Sequence, residues 1–256
     1  MKDKNFEATP HKIGDSIVMD AIKAINLVKQ SKKINGYVGG GMAVGAYIPY
    51  ESQRPTIDLD FNLYWGGSAA EFKQIMEPLS SELSSQDYDL RIQRKDKTYN
   101  LFLQSDRDSL LLQHSRRNKK NFKKNRKSLE REMQNQRLIS TDDVSFAALS
   151  PEDLVLHKLS RLFTFSDVYG IAIPQRMKTG NMMKTIKFFR ENQDTQNGRE
   201  NILIRMYHDS YDIKHLAKYV GLNKKYFEEG LKDWTGKYMT EDSAKFLLNS
   251  MNIELE

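Results

Sequence analysis

The chain has 256 residues, 39% hydrophobic and 29% charged, with a formal net charge of +6 and a pI near 9.2. That length buries one large core or two modest ones, and the basic balance favours a polyanionic partner. There is no cysteine, which excludes disulfides, thiol nucleophiles and thiolate metal sites. The N-terminal stretch from Met1 to Glu7 is charged and has no apolar run of the kind a secretory leader needs. No stretch reaches membrane-spanning length, so the expectation is a soluble, cytoplasmic protein.

Apolar residues at helical spacing predict a first helix over Ser16–Val28, with Asp15 as its N-cap. Tyr37-Val38 reads as a short strand ended by Gly39-Gly40-Gly41, and Met42 to Tyr47 as a short helix packed by small residues. Pro49 and Pro55 bracket a loop carrying Arg54. Ile57 to Trp65 alternates as a strand does, and Gly66-Gly67 ends it. A helix follows from Ser68 to about Leu83. Tyr88–Gln93 and Thr98–Gln104, joined by a charged turn, read as a β-hairpin. Eight of the twelve residues from Arg116 to Lys127 are basic, with Phe122 among them. Val144–Leu149 is one more strand. Ser150-Pro151-Glu152-Asp153 starts a helix, with Ser as cap, Pro at the first position and acids in the first turn. From there the pattern is helical, including Met182–Arg190, Asn201–Val220 and Lys224–Leu231, with a loop around Gln193–Gly198.

A bare Asp-x-Asp is a weak signal, and this chain contains three: Asp58/Asp60, Asp87/Asp89 and Asp106/Asp108. The last two pairs fall at a strand entrance and in a charged turn, where surface acids are ordinary. Asp58 and Asp60 differ because Ile57, Leu59, Phe61 and Leu63 surround them and a glycine turn precedes them. Alternate strand residues share a face, so the two carboxylates point the same way. Side by side they repel, and a divalent cation keeps both ionised. Gly40 and Gly41 let backbone N–H groups approach a phosphate closely. Arg54 is either an exposed loop charge or a clamp for a triphosphate.

Tyr37-Val-Gly-Gly-Gly-Met-Ala-Val followed by Arg54-Pro-Thr-Ile-Asp-Leu-Asp-Phe resembles the opening of the AbiEii/AbiGii toxin family, within the DNA polymerase β-like nucleotidyltransferases. Thr56 stands at the family's Ser/Thr position. Ser150-Pro-Glu-Asp-Leu-Val-Leu-His-Lys-Leu looks like the family's second signature and puts Lys158 at its lysine. Arg205-Met-Tyr-His-Asp-Ser-Tyr-Asp-Ile looks like the third, with Asp209 and Asp212 at its acids. The three pieces keep the family order from about Tyr37 to Leu216. Two departures are a longer loop between the glycines and the Asp pair and the long separation of Lys158 from Asp209.

Lys158 lies on an apolar face with Leu154, Leu159 and Leu162, where a lysine ordinarily snorkels to water; a transferase would place such a cation near the triphosphate. Asp209 and Asp212 are i, i+3 neighbours that either pair with Arg205 and Lys214, or supply a third carboxylate or an acid orienting Lys158. His208, Asp212 and His215 have the spacing of a transition-metal set, a weaker reading. Arg116, Arg117, Lys119, Lys120, Lys123, Lys124, Arg126 and Lys127 are either a solvated segment or a sequence-independent contact to nucleic-acid phosphates, with Phe122 able to stack on a base.

The expected fold is α+β: a polymerase β-like mixed sheet with flanking helices over residues 1–149, carrying a basic insertion at about 114–137. A helical region, 150–256, completes the active site. The expected activity is Mg²⁺-dependent transfer of NMP from an NTP to an acceptor hydroxyl. Asp58 and Asp60 hold the metal, Gly40, Gly41, Arg54 and Thr56 bind the nucleotide, and Lys158, Asp209 and Asp212 complete the catalytic set. The resemblance implies RNA as acceptor, at the tRNA 3′ end, a toxin role in a toxin–antitoxin or abortive-infection system, and a cognate antitoxin protein as partner. Two alternatives stand beside it: transfer to a protein or small-molecule hydroxyl, and a non-catalytic nucleic-acid-binding module.

Overall fold

A computed structural model of the chain describes residues 9–64, 69–95, 98–115, 126–142, 144–168, 196–234 and 239–255. The chain divides into two compact units, Met1–Ser150 and Pro151–Glu256. The first is α+β and the second helical.

The first unit is built on a seven-stranded mixed sheet. Its strands are β1 (Gly36–Val38), β2 (Asp58–Leu63), β3 (Asp89–Lys95), β4 (Thr98–Gln104), β5 (Ser109–Ser115), β6 (Arg137–Ser140) and β7 (Ser145–Ala148). They lie in the order β3-β4-β5-β2-β1-β7-β6. The hairpin β3–β4 and its continuation into β5 are antiparallel, as is β1 with β2, whereas β2–β5 and β1–β7 run parallel. Three helices belong with it in chain order: α1 (Ser16–Ser31), α2 (Gly40–Gly45) and α3 (Ala69–Ser84). A fourth, α4 (Arg126–Gln134), precedes β6.

Side-chain alternation explains why β2 is central. Leu59, Phe61 and Leu63 are almost wholly buried, while Asp58, Asp60 and Asn62 on the opposite face are half-buried. Ile57 lies before the strand and is 48% exposed, so it is not part of the apolar face the sequence suggested. Helix α1 buries Ile17, Val18, Ala21, Ile22, Ala24, Ile25 and Val28 and packs on α3. Helix α3 continues through Pro78 and buries Phe72, Met76, Leu79 and Leu83 in one stripe. Phe72 stacks on Tyr99 of β4, with ring centroids 3.8 Å apart. His114 of β5 sits edge-on to Phe61 and Phe72, and its Nε2 accepts the Leu63 N–H at 3.3 Å. That bond keeps Nε2 unprotonated, so this histidine is a core acceptor rather than a surface cation.

The second unit contains α5 (Pro151–Val168), α6 (Gln196–Val220), α7 (Lys224–Trp234) and α8 (Glu241–Ser250). Helix α5 is its centre, packed by α6, α7 and α8. Glu152 Oε1 accepts the Asn223 N–H, and Tyr226 O–H donates to Asp153 Oδ2, so acids in the first turn of α5 also tie down the α6–α7 corner. Thr240 caps α8 by accepting the Ser243 N–H.

Several sequence expectations shift. Asp15 occupies the N-cap position of α1, but its carboxylate does not cap: it accepts the Lys12 N–H and the Tyr50 hydroxyl instead. Helix α2 begins at Gly40 rather than Met42, because the Gly39 carbonyl accepts the Ala43 N–H. Strands β5 and β6 and helix α4 add to the predicted elements. Gln196–Gly198 are helical, and the predicted helix Met182–Arg190 lies outside the described residues. Among the described residues no helix is long and apolar enough to cross a membrane.

Truncating Phe72 to Ala removes both its stack on Tyr99 and its edge contact with His114. Urea denaturation should show a loss of about 3–5 kcal/mol, with the enlarged cavity unable to collapse between sheet and helix.

Candidate functional site

The site in the first unit is set by one strand pair. β1 and β2 are antiparallel with Val38 opposite Phe61, and the ladder extends one step further when the Gly39 N–H donates to the Asp60 carbonyl at 2.9 Å. The chain then has to turn away at once into α2. Gly40 does so with φ +63°, in the left-handed region that L side chains rarely adopt. A Cβ at Gly40 would lie 2.0 Å from Asp60 Oδ2. The glycine is thus needed twice, for its backbone conformation and for the space its missing side chain leaves to the carboxylate. A Cβ at Gly41 would come within 2.9 Å of an Arg54 guanidinium nitrogen and 3.6 Å of Thr56. The glycine turn therefore touches Asp60 on one side and Arg54 and Thr56 on the other.

Thr56 Oγ1 donates to Asp58 Oδ1 at 2.5 Å, which orients that carboxylate. The loop is itself pinned by contacts the sequence did not reveal. Thr56 and His11 exchange both backbone hydrogen bonds, each at 2.8 Å. Buried Gln53 accepts the Ile13 N–H through Oε1 and donates to the Ile48 carbonyl. Thr9 joins the same segment to Ser109 at the start of β5. Residues 9–13 thus act as a short brace that positions Arg54 and Thr56. Such pairing joins positions forty or more residues apart and has no local signature. Asn62 also shares the face of the Asp pair, and its Oδ1 is shielded from solvent without a hydrogen-bond partner among the described residues.

Gly40, Gly41, Arg54, Thr56, Asp58 and Asp60 are accordingly brought together. Asp87, Asp89, Asp106 and Asp108 are all exposed, as the sequence suggested for surface acids. Two half-buried carboxylates on one strand face offer hard oxygen ligands of the type Mg²⁺ takes. Among the described residues no three His, Cys, Asp or Glu side chains form a metal-binding group, so water or substrate oxygens would have to complete the shell.

The remaining candidates lie in the second unit. Lys158 does not snorkel. It is 2% exposed, and its ammonium donates to Asp212 Oδ2 at 2.7 Å and to Asp209 Oδ1 at 3.4 Å. Arg161, one turn further along α5, grips both oxygens of Asp209 while its side chain stays 54% exposed. Of the alternatives for the two acids, pairing with Arg205 and Lys214 gives way to contact with Lys158, and Arg161 of the same facing helix joins it. Sequence reading missed Arg161, although its i, i+3 spacing from Lys158 was visible. His208, Asp212 and His215 do not assemble a metal site: Asp212 is bound to Lys158, and His215 Nδ1 lies 2.9 Å from the Tyr211 carbonyl.

Of the basic tract, Arg116, Arg117, Lys119, Lys120, Lys123 and Lys124 lie outside the described residues. Arg126 and Lys127 open α4 and are exposed, and Arg126 pairs with Glu130 four residues on, which raises its pKa further.

No family model and no curated protein sequence matches the chain. Among solved structures it is similar to an antigenic nucleotidyltransferase-like protein from Paracoccidioides brasiliensis, at 9% identity over 97% of each chain and a TM-score of 0.47. It is also similar to the antibiotic-resistance factor ANT(2'')-Ia, at 12% identity over 75% of this chain and 91% of that one, with a TM-score of 0.36. A third likeness is to the DncV cyclic AMP-GMP synthase of Vibrio cholerae, at 10% identity over 85% and 62% of the two chains and a TM-score of 0.25. With every TM-score below 0.5, the chemistry has to be judged from this chain's own residues.

Two substitutions test the two clusters. Gly40→Ala forces a Cβ into Asp60 and strains the backbone, and should lower stability by about 1–3 kcal/mol in urea. Asp212→Asn leaves the buried Lys158 with a weaker partner, and should cost about 3–5 kcal/mol in the same denaturation experiment.

Proposed function

We propose that the chain is a Mg²⁺-dependent nucleotidyltransferase that moves NMP from an NTP to a hydroxyl of RNA. The observation that carries this is the contact of the left-handed Gly40 with Asp60, in a cluster that brings a glycine turn, an arginine, a threonine and two carboxylates together. Each group has a task in such a transfer. The first turn of a helix leaves backbone N–H groups without intrahelical partners, and those at the start of α2 would be offered to a phosphate. Arg54 supplies positive charge against the phosphates. Asp58, oriented by Thr56, and Asp60 would hold Mg²⁺, which when bound neutralises triphosphate charge and lowers the pKa of a coordinated hydroxyl.

The reaction balances simply. The acceptor oxygen bonds to the α-phosphorus, the bond from that phosphorus to the β-phosphate bridging oxygen breaks, pyrophosphate leaves and the hydroxyl proton passes to solvent. Phosphoryl-type transfer of this kind depends on positioning and charge rather than on a covalent protein intermediate. That suits a chain with no cysteine.

The resemblance to the AbiEii/AbiGii toxins supports RNA as the acceptor, at the tRNA 3′ end, and growth inhibition as the outcome, held in check by a cognate antitoxin. The eight basic residues between Arg116 and Lys127 support a polyanionic acceptor independently of that resemblance.

Purified protein supplied with each labelled NTP in turn, Mg²⁺ and total tRNA should label tRNA. Asp58→Asn/Asp60→Asn should reduce the rate by at least about a thousandfold, and chelation with EDTA should do the same to the parent. Label on the protein itself or on an added aminoglycoside, with none on tRNA, would replace RNA as the acceptor. No label with any acceptor would sink the enzymatic reading.

A further inference from the structure

The outward face of α6 carries an unbroken series of rings. Its inward face is accounted for: Ile202, Asp209, Asp212, Ile213 and Leu216 are all buried. The opposite face of such a helix is ordinarily polar. Here it bears Leu203, Ile204, Tyr207, Tyr211, His215 and Tyr219, all within about 160° of arc at ~100° per residue. Leu203, Ile204, Tyr207 and Tyr219 are 54%, 50%, 66% and 40% exposed.

The rings are spaced i, i+4 and touch in sequence. Tyr207 and Tyr211 have centroids 6.2 Å apart, Tyr211 and His215 stack at 3.8 Å, and His215 and Tyr219 lie 6.0 Å apart. Two exposed lysines stand among them on the same face, Lys214 and Lys218, and the Lys218 ammonium lies 4.8 Å from the Tyr219 ring centroid. Both lysines also border an open cavity of about 690 Å³, closed on its other side by Asn249, Asn252 and Glu254. That volume suits a nucleotide-sized group.

Flat rings interleaved with ammonium groups match one partner chemistry better than a purely apolar one. Bases stack on aromatic faces whatever their sequence, and phosphates seek the lysines between them. A protein helix laid on this face would have to cover two ammonium groups, with only Glu254 to set against them in the bordering cavity. We propose that this face of α6 binds a single-stranded nucleic acid, with bases stacked on Tyr207 and Tyr219 and backbone phosphates on Lys214 and Lys218. The paired rings of Tyr211 and His215 brace the platform from within. The inference rests on the RNA reading above for the identity of the strand as RNA.

The test is fluorescence anisotropy of a labelled single-stranded RNA of a dozen nucleotides with the full chain, without NTP or Mg²⁺. Tyr207→Ala/Tyr219→Ala should weaken binding by about tenfold or more, and Tyr207→Phe/Tyr219→Phe should retain it. Lys214→Glu/Lys218→Glu should lower the slope of log K against log salt by about 0.7 per lysine. Asp58→Asn/Asp60→Asn should bind as the parent does, so loss of transfer and loss of binding are read separately. All these side chains except the Asp pair are exposed, and an unchanged melting temperature confirms that each variant is folded. Parent-like binding by the alanine variant overturns the proposal and, if charge reversal across Arg116–Lys127 abolishes binding, leaves the RNA reading standing on that tract. Failure of the parent to bind any strand overturns both. A fall in sedimenting mass of the alanine variant with RNA binding unchanged assigns the face to self-association instead.

Discussion

The hydrogen bond from the Gly39 N–H to the Asp60 carbonyl is the constraint on which the first unit's site depends. It continues the β1–β2 ladder one residue past the strand end and so decides which residue must turn. Because Gly39 is held against β2, Gly40 is left with the left-handed conformation and faces the Asp60 carboxylate at a distance no side chain would tolerate. Slipping β2 by one residue would exchange the faces of Asp60 and Phe61, burying a carboxylate and exposing a core ring. Burial of Leu59, Phe61 and Leu63 therefore fixes the site's register as firmly as any residue within the site.

The loop from Pro49 to Pro55 shows how a scaffold places a loop cation. Left alone, Arg54 would sample many positions, since its segment has no regular structure beyond the short 3₁₀ turn at Tyr50–Ser52. Gln53 and Thr56 on either side are instead hydrogen-bonded into the segment around His11 and Ile13. Two fixed neighbours leave Arg54 little choice but to lie along Gly41. Preorganisation of this kind removes ordering entropy from the binding step, where it would otherwise weaken affinity.

Much of this was legible in the sequence, for identifiable reasons. Strand β2 alternates clearly, the glycines break a strand into a helix, and Ser150-Pro151 begins α5 where the capping residues say it should. Arg54, Thr56 and the Asp pair were readable because they lie within seven residues of one another. What escaped depends on long-range partners. The brace from residues 9–13 is one case. The short edge strand β6, whose Leu138 is 73% exposed, is another, since it exists through pairing with β7 rather than through an apolar pattern of its own. One helix alone shows only apolar neighbours for Lys158, so snorkelling, a cation beside a triphosphate and orientation by Asp209 or Asp212 all stood open. The two carboxylates that let it stay buried come from a segment some fifty positions away.

Charge accounting also distinguishes the two carboxylate pairs. Asp209 and Asp212 already face two cations, Lys158 and Arg161, so their charge is matched within the helical unit. A divalent cation entering there would have to displace a buried ammonium, leaving that ammonium without compensation in a poorly solvated place. The Asp58 carboxylate takes its short hydrogen bond from a neutral hydroxyl, which orients it without cancelling its charge. The same residue type therefore does opposite work in the two units. In the helical unit a lysine and an arginine lock the carboxylates into the packing, and on β2 a neutral threonine hydroxyl orients Asp58.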